Sequence, residues 1–199
     1  MQAAAEIIGA GEAQSASLAD ILADAFANDP VLNWVIPERT LYPDFFRLII
    51  RDTFLPGGIM HLETGDRGAA LWLPPGRKLT VAPGLAMLSL FARLLLRRGP
   101  MPLLRIPQQG KVFERHHPQE PHYHLVFVGV RQSAQGLGVG STLLKQGTRI
   151  CDQNHLPAYL ESSNEKNIPL YKRHGFEVIA QENLPGGGPP AWFMWREAR

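Results

Sequence analysis

Gln135-Gly136-Leu137-Gly138-Val139-Gly140-Ser141-Thr142 is the stretch on which the reading of this chain turns. It follows Tyr123–Val130, a run dominated by β-branched and aromatic residues, which predicts a strand. It opens a segment from about Gly138 to Asn154 in which Val139, Leu143, Ile150 and Cys151 recur on one helical face. Glycines at a strand-to-helix junction let the backbone approach a ligand closely. The helix start behind them offers unpaired N–H groups and the positive end of the helix dipole. Together they predict an anion site suited to a pyrophosphate.

Three readings compete for such a run. A Walker A loop needs a lysine before its Ser/Thr, and Gly140-Ser141-Thr142 has none. A dinucleotide fingerprint needs G-x-G-x-x-G/A, and counting from Gly136 and Gly138 the third place falls on Ser141. The run also comes late in the chain, without a preceding series of parallel strand–helix units. The third reading is Gln-x-x-Gly-x-Gly after a strand, and the rest of the chain bears on it.

Upstream, Ala5–Gly9 predicts a short first strand. Ser17 can cap a helix running to about Asn28, ended by Asp29-Pro30, with Trp34 and Pro37 in the apolar loop that follows. A second helix fits Pro43–Thr53. Ile59–Glu63 and Ala69–Leu73 flank Thr64-Gly65-Asp66 as hairpin strands. Gly84–Arg98 is a helix apolar nearly all round, stopped by Gly99-Pro100. Pro100–Pro121 carries five prolines and the adjacent His116 and His117, and reads as loop. Residues 79–121 are therefore expected to be a helical and loop insertion within one domain spanning residues 1–199. Downstream, Pro157–Glu161 is a strand, and Ile168–His174 is a short helix between Asn167 and Gly175. Phe176–Gln181 and Ala191–Arg196 are the last two strands.

About twenty residues after the glycine run comes a second informative stretch: Leu160-Glu161-Ser162-Ser163-Asn164-Glu165-Lys166-Asn167, then Ile168-Pro169-Leu170-Tyr171, then Lys172-Arg173-His174-Gly175-Phe176. It sets an asparagine, a tyrosine seven residues later and a Gly-Phe behind a strand. The two motifs in this order resemble the cofactor loop and second signature of the GCN5-related N-acetyltransferases (GNAT), over about Tyr123–Val178. Asp29-Pro30, Trp34, Pro37, Ala70-Leu71-Trp72-Leu73-Pro74-Pro75 and His122-Tyr123-His124 also resemble one branch, the small-molecule enzymes similar to puromycin N-acetyltransferase. The resemblance implies an α/β fold of α+β type. Its sheet would be mixed, mostly antiparallel and twisted, with six to seven strands, helices on both faces and a helical insertion before the central strand. One position departs from the pattern: Gln132 stands where many members have proline, which alters loop stiffness more than chemistry.

The resemblance also implies roles. The strand before the loop and the strand after the next helix would splay apart, and the pantetheine of acetyl-CoA would pair with backbone around Val128 and Val130. Gln135, Gly136, Leu137, Gly138, Val139, Gly140 and Ser141 would hold its pyrophosphate. Asn164 would contact the pantetheine, and Asn167 would serve chiefly as a helix cap. Tyr171 stands at the general-acid position; a phenol of ordinary pKa near ~10 is protonated at neutral pH and can donate to a departing thiolate. For the base, Glu161 at the end of its strand is the first choice and His124 the second. Cys151 reads as core, and His116 and His117, being adjacent, cannot share a helix face as a metal pair would. No metal is expected.

The expected activity is acetyl transfer from acetyl-CoA to the amine of a small molecule, by direct attack in a ternary complex. A protein or peptide acetyltransferase would need an open groove where the insertion lies. A noncatalytic acyl-CoA-binding module would not need Tyr171. Composition excludes other classes. With 20 Lys+Arg against 18 Asp+Glu the net charge is +2, and no surface for nucleic acid is visible. One cysteine cannot make an internal disulfide. The longest charge-free stretch, Leu79–Ala92, falls short of the ~18 residues of a membrane span. Met1–Glu6 lacks a secretory pattern. A soluble, cytoplasmic monomer or homodimer is expected, with the Gly84–Arg98 helix as a wall of the acceptor site or part of a dimer interface.

Overall fold

The computed structural model describes residues 5–199, so the reading of Met1–Ala4 lies outside the described residues. Seven strands form one sheet in the order β1-β2-β3-β4-β5-β7-β6. They are β1 (Ile7–Gly9), β2 (Ile59–Glu63), β3 (Gly68–Leu73), β4 (Tyr123–Val130), β5 (Ala158–Ser162), β6 (Glu177–Asn183) and β7 (Pro190–Arg196). Every neighbouring pair is antiparallel except β4 and β5.

Strand alternation sorts the core into two layers. Leu71, Leu73, Tyr159 and Phe193 face α1 (Ser15–Ala25), α2 (Pro30–Val35), α3 (Tyr42–Ile49), α4 (Leu85–Arg98) and α5 (Met101–His116). Ala70, Trp72, Leu160 and Met194 face α6 (Val139–Gln153) and α7 (Ile168–Arg173). The second layer is tight. A Cβ on Gly147 of α6 would lie 2.3 Å from the Trp72 ring, so only glycine lets this helix rest on that tryptophan.

The parallel seam is short. Tyr123 pairs with Ala158, His124 with Tyr159 and Leu125 with Leu160, and there the ladder stops. On its other edge β4 continues against β3 to Val130. The β3–β4 register passes from Leu125 opposite Trp72 to Phe127 opposite Leu71, leaving Val126 as a bulge. A bulge bends its strand, and this one sits where β4 and β5 part. The opening thus exposes strand edges that no other strand covers.

Four local expectations need correction. Ser17 caps no helix, because α1 already starts two residues earlier at Ser15. Residues 100–121 are not mainly loop: Met101–His116 is a helix. Pro102 lies in its first turn, where the missing N–H does no harm. Pro107 is tolerated because Leu103, Ile106 and Phe113 recur at helical spacing and pack on the core. Asp29-Pro30 does end one helix, but it also starts another. Asp29 Oδ1 accepts the Leu32 N–H at 2.8 Å, capping α2, so Trp34 lies in a helix and not in a loop. Finally, Asn167 caps nothing. The cap is Asn164, whose side chain accepts the Lys166 N–H at 3.1 Å and starts a 3-10 turn that runs into α7.

The α4–α5 pair lies against α3 and α2. Leu90 and Leu94 of α4 are buried, while Leu85, Leu88 and Leu96 face solvent, so the helix is apolar on both sides but packed on one. Arg105 of α5 fastens the pair to the rest, donating to the Trp34 carbonyl at 3.0 Å with its guanidinium 5.0 Å from the Trp34 ring centre.

Candidate active site

Beyond Val130 the chain makes a 3-10 turn at Gln132–Ala134 and enters the glycine run. Gly136 and Gly138 have φ of 81° and 82°, a left-handed conformation that glycine adopts without penalty. Nothing lies within 4 Å of where their Cβ atoms would be, so conformation and not crowding requires glycine here. α6 starts at Val139, and its first bond across the junction is Thr142 N–H to the Gly138 carbonyl. Among the described residues, no protein acceptor takes the N–H of any residue from Gly136 to Ser141. That row of free donors at a helix N-terminus fits a pyrophosphate.

The loop is held from outside. Asp24 of α1 accepts the Gln132 backbone N–H at 2.8 Å, and the Gln132 amide donates to the Asp24 carbonyl at 3.1 Å. This clamp ties the turn before the glycine run to α1. Ser141 points its hydroxyl at His174 Nε2, 2.8 Å away, and keeps only its backbone N–H for an anion. Gln135 reaches back to the Val130 carbonyl at 3.4 Å, and Leu137 lies on the surface.

A slot opens where β4 and β5 part. It is lined by Leu125, Val126, Val128, Leu160, Asn167 and Tyr171, among others. Tyr171 is 6% exposed, and among the described residues its hydroxyl finds no hydrogen-bond partner. Burial, with the charge of Asp29 adding to it, pushes its phenol above the ordinary range. Tyr171 therefore stays protonated at any physiological pH. Val130 lies farther out, against Gly140 of the loop helix.

His124 and Glu161 meet across the seam, Nε2 to Oε2 at 2.6 Å. Burial raises the Glu161 carboxyl, but the charge and hydrogen bond of His124, aided by His117 and Tyr159, outweigh it and hold it below the usual range. Glu161 is thus ionised while almost fully enclosed. His117 and His122 complete an aromatic cluster, with ring centres 4.9 Å apart, and His117 lies 5.3 Å from His124. Burial lowers the pKa of both, and His124 adds to the effect. His116, read from sequence as part of a solvated loop, instead stacks on Phe193 at 4.2 Å and bonds Glu182 at 2.7 Å. Cys151 is core, with its thiol pushed up to about 12 by burial.

A second, larger cavity of about 770 Å³ lies under α4 and α5. It joins the slot: Phe26, Asp29, Val126, Glu161 and Ser163 line both. Asp29 and Ser163 are the site residues that sequence reasoning missed. The Ser163 hydroxyl donates to Asp29 Oδ2, linking the α1–α2 junction to the end of β5. In the sequence Asp29 marks a helix stop and, with Pro30, a point of resemblance to one branch, but nothing there assigns it to the site. Its oxygen ligands come from residues 3 and 134 positions away, and only the nearer one leaves a local signal.

Known proteins share this architecture. Residues 104–176 match the model of the acetyltransferase (GNAT) family. An uncharacterised N-acetyltransferase of Schizosaccharomyces pombe is 30% identical over 171 residues, 78% of this chain and 67% of that protein. The 5-NmdU N-acetyltransferase of Pseudomonas phage PaMx11 is 33% identical over 75 residues, 38% of this chain and 53% of that protein. Among solved structures, a histone acetyltransferase HPA2 and related acetyltransferase from Corynebacterium glutamicum superimposes with a TM-score of 0.69 at 24% identity, covering 98% of this chain and 97% of that one.

Proposed function

The chain belongs to the GNAT acetyltransferase family, and we propose that it acetylates the amine of a small molecule by direct attack within a ternary complex. The observation that carries this reading is the junction of slot and cavity at Asp29, Val126, Glu161 and Ser163. A cofactor in the slot and an acceptor in the cavity would meet beside the ionised Glu161 carboxylate. The helices α4 and α5 roof the cavity, which suits an enclosed molecule better than a peptide lying across the surface.

The free N–H groups from Gly136 to Ser141 would hold the pyrophosphate of acetyl-CoA, and the uncovered edge of β4 at Val128 and Val130 would hold its pantetheine. Asn164 and Asn167 would flank it at the start of α7. The thioester supplies an acetyl carbon open to attack. Glu161, with His124, would take the proton that the amine nitrogen loses as the N–C bond forms. Tyr171 would give its phenolic proton to the sulfur as the C–S bond breaks, and its raised pKa keeps that proton in place beforehand.

Thiol release from acetyl-CoA, measured with a panel of amines and free peptide N-termini, tests the proposal. Turnover with small amines supports it. Turnover with peptides alone would reassign the acceptor, and tight acetyl-CoA binding without any turnover would make the chain a binding module.

A further inference from the structure

The larger cavity is polarised from end to end. Its body is apolar, built by Phe45, Leu48 and Ile49 from α3, Met87 and Phe91 from α4, and Phe113 from α5. Its polar groups gather at the junction with the slot: Asp29, Glu161, Ser163, His124 and His117. Two of these are carboxylates. Gln109 of α5 is a half-buried exception, and Lys78, Glu114 and Gln119, which also line the cavity, are exposed, with Lys78 close enough to His117 to help lower its pKa.

Asp29 is placed to bind a cation. A carboxylate offers about four acceptor positions, and the Leu32 N–H and the Ser163 hydroxyl use two. Asp29 lines both cavities, so its carboxylate borders the space where an acceptor would sit. Burial raises its pKa, and this charge has no salt-bridge partner among the described residues. A bound ammonium would supply that partner. Conversely, an acceptor carrying its own carboxylate would bring a third negative charge to a desolvated site. A second ammonium would lie along the apolar body among Phe45, Met87 and Phe113 unless its chain were long enough to reach Glu114, the third carboxylate of the lining. Burying either charge unpaired is costly.

We propose that the acceptor is a primary amine with a single positive charge and an apolar aryl or branched-alkyl body, and that Asp29 holds its ammonium beside Glu161. The inference rests on the small-molecule reading above. The ammonium gives one proton to the Glu161–His124 pair to become a nucleophilic amine, and the pair passes it to water before taking the second as the amide forms.

The test is kcat/KM at saturating acetyl-CoA for 2-phenylethylamine, phenylalanine and 1,5-diaminopentane, with an alanine-ended peptide alongside. 2-Phenylethylamine should exceed both phenylalanine and the diamine by 100-fold or more. Asp29→Asn keeps an oxygen to cap α2. It should raise KM for 2-phenylethylamine at least tenfold, leave KM for acetyl-CoA unchanged and narrow the discrimination against phenylalanine. Equal turnover of phenylalanine or the diamine, or an unchanged amine KM in Asp29→Asn, overturns the proposal while leaving the small-molecule reading intact. Turnover of the peptide alone, or of nothing, overturns both.

Discussion

His124 Nε2 and Glu161 Oε2 lie 2.6 Å apart across the only parallel seam of the sheet, so the two candidate bases form one hydrogen-bonded pair. His124 is the largest influence pulling the Glu161 carboxyl down, against burial that pushes it up. His124→Gln removes that pull. The Glu161 pKa should then rise, and the acid limb of kcat/KM should move to higher pH. A limb that stays in place or moves lower would mean that the limb does not report Glu161. In the folded protein Glu161 titrates below its unfolded value of about 4.3, so it favours folding above that pH and loses the effect as pH falls through its folded pKa. Glu161→Gln should accordingly flatten the acid side of the Tm–pH curve. It should also lower kcat about 100-fold or more while acetyl-CoA binding persists.

Tyr171→Phe tests the acid. The ring packs on Phe176, with centres 6.4 Å apart, and this contact survives the substitution. Among the described residues the hydroxyl bonds no protein group, so its loss leaves no orphaned partner there. Tm and acetyl-CoA affinity should stay within error, and kcat should fall by about 100-fold. Full activity at saturating substrate would remove Tyr171 from the mechanism.

What could be read in the sequence was what is local. The strand β4, the glycine run and α6 follow one another directly, and turn chemistry and periodicity mark each. The same holds for β5, the short helix behind it and Gly175, whereas the cap expected at Asn167 lies at Asn164. Three things were hidden. α5 was obscured because Pro102 and Pro107 count against a helix by composition, whereas one sits in the first turn and the other among apolar residues that pack on the core. The Asp29–Ser163 contact joins residues 134 apart and has no periodic signal. The pairing of His124 with Glu161 was equally out of reach, because register across a parallel seam depends on the whole crossover between the strands. Site chemistry was therefore legible as a set of residue types, and only the fold joined them.

Gly138→Ala separates conformation from space in the glycine run. A Cβ there meets nothing within 4 Å, so any cost comes from the φ of 82°. Holding alanine in that left-handed region costs roughly 1–2 kcal/mol. The variant should lose about that much stability, or shift the turn and misaim the N–H groups of Val139 and Gly140. Either way, calorimetry should show acetyl-CoA binding weakened several-fold. An unchanged Kd with unchanged Tm would mean that the loop tolerates a different conformation and that its observed shape is not what binds the anion.

Gly147→Ala probes the opposite constraint, space without strain. Gly147 lies inside α6, where alanine is the better helix former, so local propensity alone predicts a gain. The Trp72 ring at 2.3 Å from the added Cβ forbids it, because α6 must move or the indole must leave its place in the sheet. Overpacking of this kind costs ~1–3 kcal/mol, and packing should win over propensity. Thermal unfolding of Gly147→Ala should show the loss. Trp72→Phe, which removes the atoms nearest Gly147, should itself destabilise by leaving a void. In the double variant the alanine methyl fills part of that void, so the two losses should sum to less than their separate values. Strict additivity would mean that α6 relieves the clash by sliding along the sheet. Because α6 carries the loop at its N-terminus, that slide should appear as weakened acetyl-CoA binding in Gly147→Ala alone.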